Sequence, residues 1–222
     1  MTIFGDGAAR GNPGPGGWGA IILTPDTAVE LGGRETHTTN NRMELMAVIL
    51  ALEGTTKGSE VTVYTDSAYV VSGITRWVQG WQKNKWKTSK KEDVLNRDLW
   101  ERLLKAIAQK VIDWKLIKGH SGTPGNERCD IIATGFADNN PPVLYKGSRS
   151  RYGLSISISA IPSPKKAKSK TTAYSYVSAI KGLVKVHKTW EECKKRVHGV
   201  SGARFKKSVS PADEEEIIKE FL

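Results

Sequence analysis

Cysteine is scarce: two residues, Cys129 and Cys193, in a chain of 222. They lie far apart and match no metal-binding spacing, which argues against a disulfide scaffold or a zinc site and suits reduced thiols. Long apolar runs are missing too; none approaches the roughly 20 residues of a membrane span. The opening MTIFGDGAARG has no basic segment followed by an apolar stretch, so no secretory signal is visible and a cytoplasmic location is expected. There is no acidic surplus and no internal repeat. The net charge is +11, and it is uneven. Residues 1–140 carry 17 Lys and Arg against 16 Asp and Glu, whereas residues 141–222 carry 17 against 7. That excess suits either a polyanionic partner or a solubilising basic tail, and charge alone does not separate the two.

What is present is a regular alternation of elements. Residues 2–5 and 17–23 read as strands around the glycine-rich turn NPGPGG, and 29–36 as a third. Residues 41–53 are densely apolar up to Gly54, which suits a helix packed on a sheet. VTVYT at 61–65 is a buried strand that stops at Asp66, with a helix from Ser67. A helix at 94–108, a strand at 111–117 and a helix at 126–138 complete an α/β pattern, a mixed five-stranded sheet flanked by helices.

Residues 141–172, rich in Ser, Lys and Pro, read as a basic flexible linker. Within it YGLSISISAI at 152–161 alternates and can pair as a strand. Order resumes at 173 with a hairpin from 174–180 and 183–188. Thr189 and Glu192 then form a capping box, ARFKKSV suggests another strand, and Ser210-Pro211 starts a last helix. The expected division is 1–140, 141–172 and 173–222, the last a small α+β domain.

Four acids stand in distinctive contexts. They are Asp6 in FGDGAARGNPGPGGWGA, Glu44 in TTNNRMELMAV, Asp66 in VYTDSAYV and Asp130 in KGHSGTPGNERCDIIA. Each borders an apolar run, where a carboxylate is costly unless neutralised. Glu44 shares the inward helix face of Ala47, Val48 and Ala51. Asp6 and Asp66 end strands, at the edge where α/β sheets place their crevices. Asp130 lies near a helix start. Singly, each has an ordinary reading: a turn pair at Asp6-Gly7, an ion pair for Glu44, a helix cap at Asp66, a first-turn acid at Asp130. Together they suit one or two divalent cations, and repulsion among them should raise at least one pKa.

With these motifs in order, residues 2–138 resemble type I ribonuclease H, which cuts RNA paired with DNA. The resemblance rests on DG…GNPGPGG, TNNRMEL, YTDS and KGHSGTPGNERCD. It implies that Asp6, Glu44, Asp66 and Asp130 hold two Mg²⁺ ions, for which Mn²⁺ can substitute, with the scissile phosphate between them. The implied products carry 5′-phosphate and 3′-hydroxyl ends. His120, in a glycine-rich loop, would handle the attacking water or help product leave. Asn12, Asn40 and Asn41, otherwise turn or cap residues, would read RNA 2′-hydroxyls in the minor groove, and Thr39 would help bind a DNA phosphate. RWVQGWQKNKWKTSKK at 76–91 resembles the basic protrusion that grips the DNA strand. Trp81 would be the main DNA contact beside Lys83, Lys85 and Lys87, with the other tryptophans mostly packed. Ala68 and Gly5 stand where Gln and Thr are common, which puts one minor-groove contact and the firmness of one strand end in doubt.

Residues 174–222 resemble the hybrid-binding domain that precedes the catalytic domain in animal-type enzymes; here it follows. The matching pieces are Tyr176, TWEEC at 189–193 and ARFKK at 203–207. Tyr176, Trp190 and Phe205 would contact DNA sugars and bases, with Lys206 and Lys207 near phosphates. The hairpin VSAIKGLVKVH departs from the family's glycine pattern. A domain this small needs some of its aromatics inside, so Tyr176 or Phe205 is expected to be partly buried. The implied partner is an RNA–DNA hybrid, with weak duplex-RNA binding through the C-terminal domain, no membrane and a monomeric chain. The alternatives are a non-catalytic hybrid binder and a different nuclease on the same fold.

Overall fold

The computed structural model describes residues 1–119, 122–154, 173–180, 182–200 and 202–221. They fall into two compact units, Met1–Lys165 and Lys166–Leu222. Among the described residues, no helix is long and apolar enough to cross a membrane.

In the first unit, β1 (Thr2–Ala9), β2 (Gly14–Leu23) and β3 (Thr27–Thr38) form an antiparallel meander. Helix α1 (Asn40–Glu53) leads to β4 (Glu60–Thr65), which lies parallel to β1, and β5 (Val111–Leu116) lies parallel to β4. Successive strand residues point to opposite faces, so each apolar strand feeds two cores. Ile3, Ala20, Ile22, Val61 and Val63 face α1 and α4 (Arg97–Ile107), whose Leu45, Val48, Trp100 and Leu103 are fully buried. Phe4, Ile21, Leu23 and Tyr64 face the opposite side, with Cys129 of α5 (Pro124–Ala137). The helix expected from Ser67 is interrupted: α2 (Ala68–Ser72) passes through a wider π-helical turn at Gly73–Trp77 into α3 (Val78–Lys83).

Glycine in β2 does more than turn the chain. A Cβ at Gly17 would lie 2.2 Å from the Ala133 carbonyl oxygen, and one at Gly19 would lie 2.4 Å from that of Cys129. Only glycine lets α5 sit this close to the sheet.

Among the described residues the sheet has six strands, one more than expected, in the order β5-β4-β1-β2-β3 with the additional strand beyond β3. The addition, β6 (Lys146–Ser148), pairs with the start of β3 and comes from the segment expected to be linker. Residues 141–154 instead lie along the first unit, with Tyr145, Tyr152 and Leu154 packed on the second core. They are held by Glu30, a buried carboxylate on β3 that accepts from Arg128, the Tyr145 amide and the Tyr152 hydroxyl. Of the alternating stretch 152–161, residues 155–161 lie outside the described residues.

Burial alone would raise the Glu30 carboxyl, but the Arg128, Tyr145 and Tyr152 donors outweigh it and hold the group below its ordinary 4.5. A depressed folded pKa stabilises the protein above the ordinary value, and that contribution is lost as pH falls through the lower one. The gap in Tm between the natural protein and Glu30→Gln should therefore narrow as pH drops below 4.5. A gap that stays constant down to acid unfolding would contradict this.

In the second unit, β7 (Ser175–Ile180) lies between β8 (Leu183–His187) and β9 (Arg204–Ser208). Helix α6 (Trp190–Val197) opens at Thr189, whose hydroxyl accepts from the Glu192 amide at 3.3 Å. Glu192 reaches back to the Lys188 amide, one residue earlier than the usual reciprocal bond. Helix α7 (Pro211–Phe221) covers Val177 and Ala179 with Ile217 and Phe221.

Candidate active site and nucleic-acid surfaces

Strand order brings Asp6 and Asp66 together. β1 and β4 run parallel with Phe4 opposite Tyr64, and each acid lies two residues beyond that pair. Asp6 does not end its strand as expected, since β1 stays paired with β2 to Ala9, and helix α1 crosses β1 closely enough that a Cβ at Gly7 would lie 2.2 Å from the Glu44 amide nitrogen, which sets Glu44 beside Asp6. Asn40 Nδ2 donates to Glu44 Oε1 at 2.9 Å, and the Ser67 hydroxyl donates to Oε2. Ser67, the N-cap of α2, also accepts from the Val70 amide, so one side chain ties β4 to Glu44. Asn126 of α5 donates to Asp66 Oδ2 at 3.0 Å. Asp130, one helical turn further on, is half-buried.

Asp6 lies within electrostatic reach of the other three acids, and Glu44 within reach of Asp66. Asp6 is pushed up to about 8, first by burial and then by Asp66, with Asp130 and Glu44 adding to it; the Gly7 amide, donating at 2.7 Å, opposes the rise. Glu44 is also raised, by burial first and then by Asp66, against the Ser67 and Asn40 hydrogen bonds. Among the described residues, no three Asp, Glu, His or Cys side chains are already drawn close enough to enclose one ion. An all-oxygen donor set of this kind suits a hard divalent cation.

His120 lies outside the described residues. Its neighbour Gly119 passes so near Asp66 that a Cβ there would lie 2.8 Å from Oδ2. Asn12, Thr39, Asn40 and Asn41 converge at the start of α1, where Asn12 Oδ1 accepts from the Asn40 amide at 3.3 Å. Lys83, Lys85 and Lys87 are exposed around a buried Trp86. Trp81 is half-buried between Trp77 and Trp100, with ring centroids 5.7 and 5.6 Å away, and the more exposed indole is Trp77. The expectation that the tryptophans other than Trp81 mostly pack is thus corrected for Trp77: the helix interruption at 73–77 leaves Trp77 outside and turns Trp81 toward Trp100.

In the second unit Trp190 bridges Tyr176 at 5.6 Å and Phe205 at 5.3 Å, forming an aromatic row. Tyr176 is half-buried and Phe205 is exposed. Strand alternation separates the two lysines expected to act together. Lys207 pairs with Tyr176 and Phe205 with Ser178, all on the aromatic face, whereas Lys206 pairs with Val177 on the α7 face. Lys206 bonds Glu220 of α7 at 2.7 Å.

Sequence reading did not single out Ser67 or Asn126. Their positions in YTDS and NERCD were the available signal, but a hydrogen bond to a distant carboxylate leaves no periodic trace.

A family model described as RNase H matches residues 1–137, and one described as Ribonuclease H1 N-terminal domain matches residues 182–212. Ribonuclease H of Alcanivorax borkumensis is 57% identical over 133 residues, covering 60% of this chain and 88% of its own. Ribonuclease HI of Caulobacter vibrioides is 51% identical over 145 residues, covering 65% of this chain and 97% of its own. Among solved structures, LC9-RNase H1, described as a type 1 RNase H with the type 2 active-site motif, aligns with a TM-score of 0.59 at 28% identity, over 75% of this chain and 88% of its own. With all four acids inside the matched 137 residues, the chain belongs to the RNase H family of nuclease hydrolases.

Proposed function

We propose that this enzyme hydrolyses the RNA strand of RNA–DNA hybrids by a two-metal-ion mechanism, leaving 5′-phosphate and 3′-hydroxyl ends. The observation that carries the reading is the position of Asp6, buried and facing Glu44, Asp66 and Asp130 from three other elements. These four carboxylates are the residues that would hold two Mg²⁺ ions, with Mn²⁺ as a substitute. Bound divalent cations supply an activated water and stabilisation of the departing oxygen. The chain's own part is positioning. Asn40 and Ser67 fix both oxygens of Glu44, Asn126 fixes one of Asp66, and the Gly7 amide fixes one of Asp6. His120 is assigned the proton-handling role. Asn12, Asn40 and Asn41 are assigned to the RNA 2′-hydroxyls and Thr39 to a DNA phosphate, because they gather beside Glu44.

Exposed Lys83, Lys85 and Lys87, with Trp77 joining Trp81, make the DNA-side grip. Residues 173–222 supply a second hybrid-binding surface through Tyr176, Trp190, Phe205 and Lys207, with Lys206 turned to the α7 face and adding only its charge. The deciding assay compares cleavage of an RNA–DNA hybrid in Mg²⁺ and in EDTA, with duplex RNA and duplex DNA as controls. Cleavage confined to the hybrid and abolished by EDTA is expected; hybrid cleavage unaffected by EDTA would overturn the reading.

Cation binding should also stabilise the free protein. Asp6 is held mostly protonated below about 8, so protons compete with the cation there. The rise in Tm produced by Mg²⁺ should therefore grow as pH increases from 6 to 9. A rise that is absent, or that shrinks over this range, would contradict the assignment.

A further inference from the structure

Glu30 lies outside the four-acid site, yet its carboxylate joins three elements. Its side chain is 1% exposed. Arg128 meets it as a fork, Nε to Oε1 and Nη2 to Oε2, both at 2.8 Å. The Tyr152 hydroxyl donates to Oε1 at 2.7 Å and the Tyr145 amide to Oε2 at 2.9 Å. These four donors use the approximately four lone-pair directions a carboxylate offers. The segment is tied again by the Glu30 amide, which donates to the Tyr145 carbonyl at 2.7 Å, and by Arg128 Nη2, which donates to the Val143 carbonyl at 2.9 Å. The Tyr145 and Tyr152 rings pack 4.9 Å apart beside this knot.

Arg128 lies on α5, two residues before Asp130. The contacts at Gly17 and Gly19 set how near α5 lies to the sheet, and its rotation about its own axis is set by the side chains that bind it on either side, Asn126 to Asp66 and Arg128 to Glu30. A two-point guanidinium–carboxylate contact has a defined plane and direction, so it resists that rotation. A change in rotation would move Asp130 relative to Asp6.

Resting on the reading of the four acids as a cation site, we infer that Glu30 and Arg128, locked by Tyr145 and Tyr152, are positioning residues that set the orientation of Asp130. The segment after α5 thereby becomes part of the active site's framework. A buried ion pair that served stability alone would add little net free energy over an apolar pair and would leave cation affinity untouched.

The test uses the full chain. Hybrid cleavage by the natural protein in Mg²⁺ comes first; its failure would count against the proposed function and not against this inference. Mn²⁺ is then titrated calorimetrically into free protein, and cleavage is measured across Mg²⁺ concentrations, for Arg128→Lys, Tyr152→Phe and Ile22→Val. Ile22 lies in the core on the other face of the sheet and serves as the stability control. Arg128→Lys keeps the charge and loses the fork. It should weaken Mn²⁺ binding and raise the Mg²⁺ needed for half-maximal cleavage by roughly 3- to 10-fold, below the 10- to 100-fold that follows loss of a group bonded directly to a metal ligand. The KM for hybrid should be unchanged. Tyr152→Phe should shift both in the same direction by less, and Ile22→Val should shift neither. If Arg128→Lys and Tyr152→Phe lower Tm but leave Mn²⁺ affinity and Mg²⁺ dependence at the level of Ile22→Val, the positioning role is wrong.

Discussion

Asp6→Asn should abolish cleavage while leaving Tm in the absence of divalent cation unchanged or higher. The change removes one negative charge and almost no volume. The Gly7 amide keeps an oxygen acceptor, so β1 has no reason to move there. In the free protein Asp6 is the carboxyl most strongly raised by burial and by its three neighbours, so neutralising it relieves repulsion. In the loaded enzyme the same change removes the acid that faces all the others. A loss of roughly 10³-fold or more in kcat/KM corresponds to at least about 4 kcal/mol of transition-state stabilisation. The Mg²⁺-induced rise in Tm should be lost with it. A variant that unfolds would mean that Asp6 is needed for the fold, and one that cleaves at the natural rate would mean that it is not needed for the chemistry.

Two truncations should separate binding from integrity. Ending the chain after Leu154 removes the aromatic row and the C-terminal cations but keeps Tyr145 and Tyr152 on Glu30. This protein should keep its Tm and still cleave hybrid. It should bind hybrid more weakly, by roughly 10- to 100-fold at moderate salt, because a tethered second site raises effective concentration. The slope of log affinity against log salt should flatten by about one unit for each phosphate that no longer meets a lysine or arginine. Ending the chain after Asn140 strips two donors from a buried carboxylate and removes β6 as well. Its Tm should fall, because a buried acceptor left short of partners costs about 1–3 kcal/mol. Equal hybrid affinity in the full chain and the Leu154 truncation would remove the C-terminal unit from substrate binding. Equal Tm in the two truncations would show that the segment after α5 contributes nothing to the first unit.

Much of the molecule was legible beforehand because the relevant physics is local. The glycine-rich turn NPGPGG marked the first half of β1 and most of β2 on either side of it, alternation in VTVYT marked β4, and the run before Gly54 marked α1 to within a residue of its observed bounds. The Thr189–Glu192 pair marked the start of α6, since capping acts within one turn. The four acids could be named from their motifs. The sixth strand was not legible: KGS is too short for a period and sits in a Ser- and Lys-rich stretch that resembles a linker. Its partner is the start of β3, more than a hundred residues away, and only the tertiary fold brings the two together. The interruption that leaves Trp77 more exposed than Trp81 could not be foreseen, because a π-helical turn leaves the composition of a helix unchanged.

Alone, the order of residues determined the identity of the four carboxylates, the elements that carry them and the existence of a second basic unit. Each follows from side-chain type and from spacings of a few residues. The tertiary structure decided what those residues are to one another. It decided that the Asp6 carboxyl is pushed up, first by burial and then by the acids of other elements near it, and that Lys206 and Lys207 look to opposite sides of one sheet. It also decided that Glu30 binds the segment after α5 to the helix bearing Asp130. Charge repulsion, strand register and the saturation of a buried carboxylate depend on distances between residues far apart in the chain, and only the folded chain sets those distances.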